Sequence, residues 1–132
     1  MTKFLVLLFV FILSISTTGC ENAPESGLES AEYTRITPEE AYQMMQDENI
    51  VILDVRTQAE FDEGHIKNAV LLPVSELASR GASLLPNYDQ TILIYCRSGR
   101  RSEDAARTLI AMGYKNVYDF GGIVDWPFEI QR

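Results

Sequence analysis

Two runs of consecutive apolar residues, Ile50-Val51-Ile52-Leu53 and Ile92-Leu93-Ile94, constrain the fold more than any other feature of the chain. A strand with one wet face alternates apolar and polar side chains, so a run that is apolar at every position predicts a strand buried on both faces. The first run ends in Asp54-Val55-Arg56, and the second, read as a strand over Thr91–Tyr95, ends at Cys96. A helical pattern follows each. Buried strands alternating with helices predict an α/β fold, a mostly parallel sheet covered on both faces. Ligands of such sheets gather off the carboxyl ends of the strands, where Asp54, Arg56 and Cys96 all fall.

The remaining elements can be placed by their punctuation. Tyr33–Ile36 is a short strand candidate, and Thr37-Pro38-Glu39-Glu40 opens a helix with an N-cap, a proline at the first helical position and a capping box. Ala41, Met44 and Met45 give that helix its apolar face. Thr57 and Glu60 form a second capping box, for a short helix ended by Gly64. A strand is predicted over Ala69–Leu72, a short helix capped by Ser75 and reaching Ser79, a helix over Ser102–Met112 closed by Gly113, and a last strand over Asn116–Phe120. Gly121-Gly122 permits close backbone approach or positive φ. Ile123, Val124, Trp126 and Phe128 add apolar bulk after it, Trp126 as core closure.

The chemistry concentrates after the second run. Cys96 is followed by Arg97, Ser98, Gly99, Arg100 and Arg101, a small-residue, cationic loop that cannot pack in a core and that leads into a helix. Helix starts present unpaired N–H groups and partial positive charge. A sulfur held there, beside guanidinium groups, is biased toward the nucleophilic thiolate in an accessible, electropositive setting.

The formal charge of −8 argues against a nucleic-acid binder, which would carry a basic face. The arginines at 97, 100 and 101 are a local positive island suited to a small anion. His65 is the lone histidine and the chain has 2 cysteines, so the sequence contains no set of zinc ligands. Residues 1–19 read as a signal peptide: Lys3, an apolar stretch from Phe4 to Ile15, then small residues up to Gly19. The Gly19-Cys20 junction resembles a bacterial lipoprotein signal, which makes Cys20 the expected lipidation site. It implies an exported protein, anchored through lipid on the periplasmic or outer-surface side of a bacterial membrane. With Cys20 lipidated, Cys96 has no disulfide partner within the chain. Residues 20–32, acidic and holding Pro24 and Gly27, read as a flexible spacer, and the folded domain is expected over residues 33–132.

Three stretches together resemble a rhodanese domain: Asp54-Val55-Arg56 with Glu60-Phe61 and Gly64-His65-Ile66; Cys96-Arg97-Ser98-Gly99-Arg100-Arg101-Ser102; and Gly121-Gly122-Ile123 with Trp126. Asn68 departs from the glycine common in that family, and asparagine tolerates left-handed backbone better than most residues. The resemblance implies a rhodanese-like five-stranded parallel sheet with helices on both faces. It implies sulfurtransferase chemistry in which Cys96 takes a sulfane sulfur from a small anionic donor such as thiosulfate, forming a persulfide, and passes it to cyanide, a thiol or a protein acceptor. By the same likeness, residues 96–101 form the active loop with its N–H groups aimed at the sulfur, Arg101 locks the loop's end, and Asp54 and Arg56 make supporting polar contacts. No metal or organic cofactor is implied.

Rival readings differ in single features. A Cys…Arg phosphatase loop needs one more residue between its cysteine and arginine, and here Ser102 stands where that arginine belongs. A non-turnover sulfur carrier or tethered interaction module would use the same Cys96, as would a peroxide-sensing thiol. His65 reads as a hydrogen-bonded structural histidine, and Asp54 with Arg56 as an ion pair that burial would require.

Overall fold

The computed structural model describes residues 32–132. Residues 1–31, which include the segment expected to be a signal peptide, Cys20 and nearly all of the expected spacer, lie outside the described residues. Five strands, β1 (Thr34–Arg35), β2 (Val51–Asp54), β3 (Val70–Leu71), β4 (Thr91–Cys96) and β5 (Asn116–Gly122), form one sheet in the order β1-β5-β4-β2-β3, and every pairing is parallel. Helices α1 (Pro38–Met44), α2 (Gln58–Glu63), α3 (Leu77–Leu84) and α4 (Arg100–Ala111) alternate with the strands. This is the α/β architecture expected from the apolar runs.

The doubly buried strands build two cores. On one face Leu53 and Val55, and Ile92, Ile94 and Cys96, pack beneath Leu77 of α3 and Ala105, Ala106 and Leu109 of α4. On the other, Ile52, Leu93 and Tyr95 pack with Ala41 of α1 and Phe120, bordered by Met44, Met45 and Trp126. The split follows the strand period of two, so Cys96 points toward α4 and its neighbour Tyr95 points away.

Local signals set most boundaries. Thr37 and Thr57 both accept from the amide three residues on, and Glu40 and Glu60 return the bond, closing both capping boxes. Helix α4 ends with Gly113 at φ 103°, the Gly113 N–H on the Ile110 carbonyl and the Tyr114 N–H on the Leu109 carbonyl, a Schellman ending. Asn68, at φ 65°, is the single non-glycine residue at positive φ among those described.

Two expectations are corrected. Ser75 does not cap a helix that stops at Ser79. Residues 74–76 form a 3₁₀ turn, α3 begins at Leu77 without a side-chain cap, and it continues through Gly81 to Leu84. Gly81 is tolerated inside the helix because it is buried against the Met112 side chain, while the Tyr114 hydroxyl donates to the Gly81 and Leu85 carbonyls. The last strand also runs two residues beyond Phe120. Ile94 pairs with Asp119 but Cys96 pairs with Gly122, so β5 holds an extra residue, a bulge at the point where the cysteine loop begins.

Candidate active site

Strand β4 ends at Cys96 in the middle of the sheet, and the chain turns through Arg97-Ser98-Gly99 into α4. Gly99 sits at φ 102°, a left-handed conformation that swings its N–H back toward the strand end. That N–H donates to Cys96 Sγ at 3.1 Å. The Ser102 hydroxyl lies 3.7 Å from the sulfur and donates to the Gly99 and Gly121 carbonyls at 3.0 and 3.3 Å. The sulfur thus occupies the start of a twelve-residue helix, with an amide and a hydroxyl in reach.

Two sequence readings need adjustment here. Cys96 is 1% exposed, not an open thiol, because it is the last residue of the central strand and its own loop and α4 fold over it. One loop amide, that of Gly99, donates to the sulfur among the described hydrogen bonds, where several were expected.

The loop is held from two sides. Arg101 makes a bidentate pair with Glu60 of α2, at 2.8 and 2.7 Å, and this pairing holds the Glu60 carboxyl down at about 2, well below the usual carboxylate range. From β5, Gly122 packs so closely that a Cβ there would lie 2.2 Å from the Arg97 carbonyl oxygen, and the Val124 N–H donates to that oxygen at 3.2 Å. From sequence Glu60 reads as a capping residue and Ser102 as the first residue of a helix, and no local pattern carries their contacts to the loop and its sulfur. Gly122 is expected to permit close backbone approach or positive φ, and close approach is what it makes, against Arg97.

Asp54 and Arg56 reach the same carboxyl edge on the opposite face of the sheet. Asp54 Oδ2 accepts from Arg56 Nη2 at 2.6 Å and from the Tyr95 hydroxyl at 2.6 Å; Arg56 also donates to the Gly64 carbonyl at 2.8 Å, and Tyr95 Oη accepts the Ile66 N–H at 3.1 Å. Burial, with the Asp54 carboxylate next, pushes the Tyr95 phenol well above its ordinary value. Neither Asp54 nor Arg56 hydrogen-bonds the cysteine loop among the described residues, so their direct support goes to the segment after α2. His65 stacks on Phe61, with ring centroids 3.8 Å apart and Nδ1 3.0 Å from the Phe61 carbonyl oxygen.

Arg97 and Ser98 on the loop, and Arg100 at the first position of α4, are exposed. A cleft of about 280 Å³ opens on the Arg97 side, lined also by Arg56, Glu63, Ile123, Val124, Ile130 and Arg132. Another, of about 410 Å³, opens on the other side, over Ser98, Gly99, Arg100 and Gly121. A sulfur near a helix start, with Arg97 and Arg100 close in the chain and outside the described salt bridges, could serve as a nucleophile toward an anionic reagent.

The family follows from comparison with known proteins. The Rhodanese-like domain model matches residues 37–127, and the protein belongs to the rhodanese-like family. Among curated relatives, the thiosulfate sulfurtransferase GlpE of Pseudomonas putida is 36% identical over 104 residues, 77% of this chain and 87% of that one. PspE of Escherichia coli, also named a thiosulfate sulfurtransferase, is 34% identical over 73 residues, 55% of this chain and 70% of PspE. YrkF of Bacillus subtilis, by its name a candidate sulfur carrier protein, is 43% identical over 81 residues, 61% of this chain, but the match spans only 43% of YrkF. Among solved structures, a rhodanese-related protein of Thermoplasma volcanium superposes with a TM-score of 0.67 at 28% identity, covering 75% of this chain and 98% of that one.

Proposed function

We propose that this protein is a sulfurtransferase that carries sulfane sulfur as a persulfide on Cys96. The observation that carries the reading is the Gly99 N–H donated to Cys96 Sγ at 3.1 Å at the start of α4. The Cys96 thiolate attacks the outer sulfur of thiosulfate, a new S–S bond forms, and sulfite leaves with the electron pair of the broken bond. The acceptor then attacks the outer sulfur of the persulfide and Cys96 leaves as thiolate. Arg97 and Arg100, which hold no carboxylate partner among the described salt bridges, attract and orient the anionic donor. Two displacements at one sulfur give ping-pong kinetics.

The names of the GlpE and PspE relatives support thiosulfate as donor. Intact mass of the purified domain after thiosulfate treatment is expected to show one added sulfur atom, absent in Cys96→Ser, with cyanide then releasing thiocyanate. Thiosulfate:cyanide turnover by Cys96→Ser would overturn the assignment. The likeness to YrkF favours a second reading, a carrier that loads Cys96 and delivers to one protein partner. Stoichiometric persulfide without turnover on small acceptors would select it. We further propose export and lipid anchoring at Cys20. Cys20→Ser is then expected to release the protein from membranes, and continued membrane association would refute lipid as the anchor.

A further inference from the structure

The Cys96 sulfur is buried and takes a single amide, that of Gly99, among the described hydrogen bonds. A nucleophilic sulfur carries negative charge, and burying a charge is costly unless donors surround it. One amide leaves much of that cost unmet. The other polar group in hydrogen-bonding range is the hydroxyl of Ser102, in the first turn of α4 and itself fully buried. The charged groups of the loop and of the elements around it, Arg97, Arg100, Arg101, Glu103, Asp54 and Asp119, make no described hydrogen bond to the sulfur.

A hydroxyl has one proton to donate, and this one has three acceptors within reach. The Ser102 oxygen lies 3.0 Å from the Gly99 carbonyl oxygen, 3.3 Å from that of Gly121 and 3.7 Å from Cys96 Sγ. While Cys96 is a thiol, its S–H donates to the Ser102 oxygen and the hydroxyl proton serves the carbonyls, which is the arrangement observed. A sulfur without its proton can only accept. The hydroxyl can then turn to it without stranding Gly99, whose carbonyl keeps the Glu103 N–H at 3.2 Å. Gly121 is fixed independently, because the fully buried Asp119 carboxylate accepts the Gly121 N–H at 3.0 Å and a bond from Arg35 at 3.4 Å. The carbonyls therefore stay in place whether or not the hydroxyl serves them.

We infer that Ser102 is a positioning residue for the nucleophile: its hydroxyl accepts from the Cys96 thiol and, once that proton has gone, turns from the Gly99 and Gly121 carbonyls to donate to the sulfur. The protons balance. The thiol proton leaves to water, and the Ser102 proton stays on its own oxygen and only changes acceptor. The same bond forms again on sulfur delivery, when Cys96 leaves as thiolate. A serine that only ties α4 to β5, by contrast, would contribute to stability and leave the ionisation of the sulfur alone. The inference rests on the reading of Cys96 as the nucleophile, but ionisation can be measured with no sulfur donor present.

The test follows the ultraviolet absorbance of the thiolate against pH, with Cys96→Ser subtracted as the blank. At a pH where a minority of the wild-type sulfur is ionised, Ser102→Ala is expected to hold about three- to tenfold less thiolate, the size expected of one hydrogen bond to a charged group. Ser102→Thr, which keeps the hydroxyl, should recover most of it. At a pH where both are fully ionised, Ser102→Ala should take sulfur from thiosulfate at least as fast as the wild type, because a thiolate relieved of a donor is intrinsically the stronger nucleophile. Damage to the loop would slow it at every pH. The wild type alone gives a second reading that needs no variant to fold: the carbonyl-carbon resonance of Gly99 or Gly121 should titrate with the thiolate absorbance as that carbonyl loses its donor. An unchanged thiolate profile in Ser102→Ala, or two carbonyls that do not move in the wild type, overturns the switch. A wild type that ionises as described but takes no sulfur from thiosulfate defeats the sulfurtransferase reading instead.

Discussion

Gly122→Ala places one methyl group against the backbone of the cysteine loop. Its Cβ would lie 2.2 Å from the Arg97 carbonyl oxygen and 2.6 Å from both the Arg97 carbonyl carbon and Ser98 Cα. These are main-chain atoms, so no side-chain rotation relieves the overlap, and loop and strand must separate by about 1 Å to regain ordinary contact. Overpacking of this kind costs about 1–3 kcal/mol, about 5–15 °C in Tm for a domain of this size. The movement pulls on the Val124–Arg97 hydrogen bond and carries Gly99, whose N–H serves the sulfur. Removing one preorganised donor from a developing anion costs about 10²–10³ in turnover. Gly121→Ala is the comparison: it sits at φ 91° with nothing within 4 Å of its Cβ position, so it suffers backbone strain of about 1–2 kcal/mol without overlapping the Arg97–Ser98 backbone, and its carbonyl can still accept from Ser102. Thermal melts and thiosulfate:cyanide assays should give comparable destabilisation for the two variants but much the larger activity loss for Gly122→Ala. Activity within twofold of wild type in Gly122→Ala, or equal losses in both, would refute the reasoning.

Glu60 has a carboxyl held at about 2 by Arg101, against an unfolded value of 4.5, so its contribution to stability is complete above pH 4.5 and fades as pH falls toward 2. Both partners are partly exposed, which limits the contribution to about 1 kcal/mol; urea midpoints between pH 5 and pH 2 should show it in the wild type and not in Glu60→Gln. Tyr95→Phe leaves the Ile66 N–H and an Asp54 oxygen without their phenol partner and should cost about 1–3 kcal/mol by urea denaturation. Asp54→Ala strands a guanidinium that is 5% exposed and should cost about 3–5 kcal/mol, more than Tyr95→Phe in the same assay.

What was legible in the sequence was whatever is decided within a few residues. The apolar runs, both capping boxes, Gly113 and the left-handed Asn68 are local events, and strand alternation then forces the sheet. α3 escaped because its extension through Gly81 depends on Met112 and Tyr114, roughly thirty residues on. The same limit governed the site. Cys96 and its arginines can be read in a line, but their setting comes from α2 and β5. The period of two also carries a consequence that rim position alone conceals: consecutive residues at a strand end face opposite ways. Asp54 and Cys96 end paired strands, yet the register aligns Asp54 with Tyr95 and not with Cys96. The acid therefore shares a face with the phenol, while the thiol turns under α4. The charged pair, expected from sequence as a buried ion pair, is for that reason tied to Gly64 and the segment after α2. Its removal should cost stability first, whereas removal of a group acting on Cys96 itself would alter sulfur loading from thiosulfate at unchanged stability.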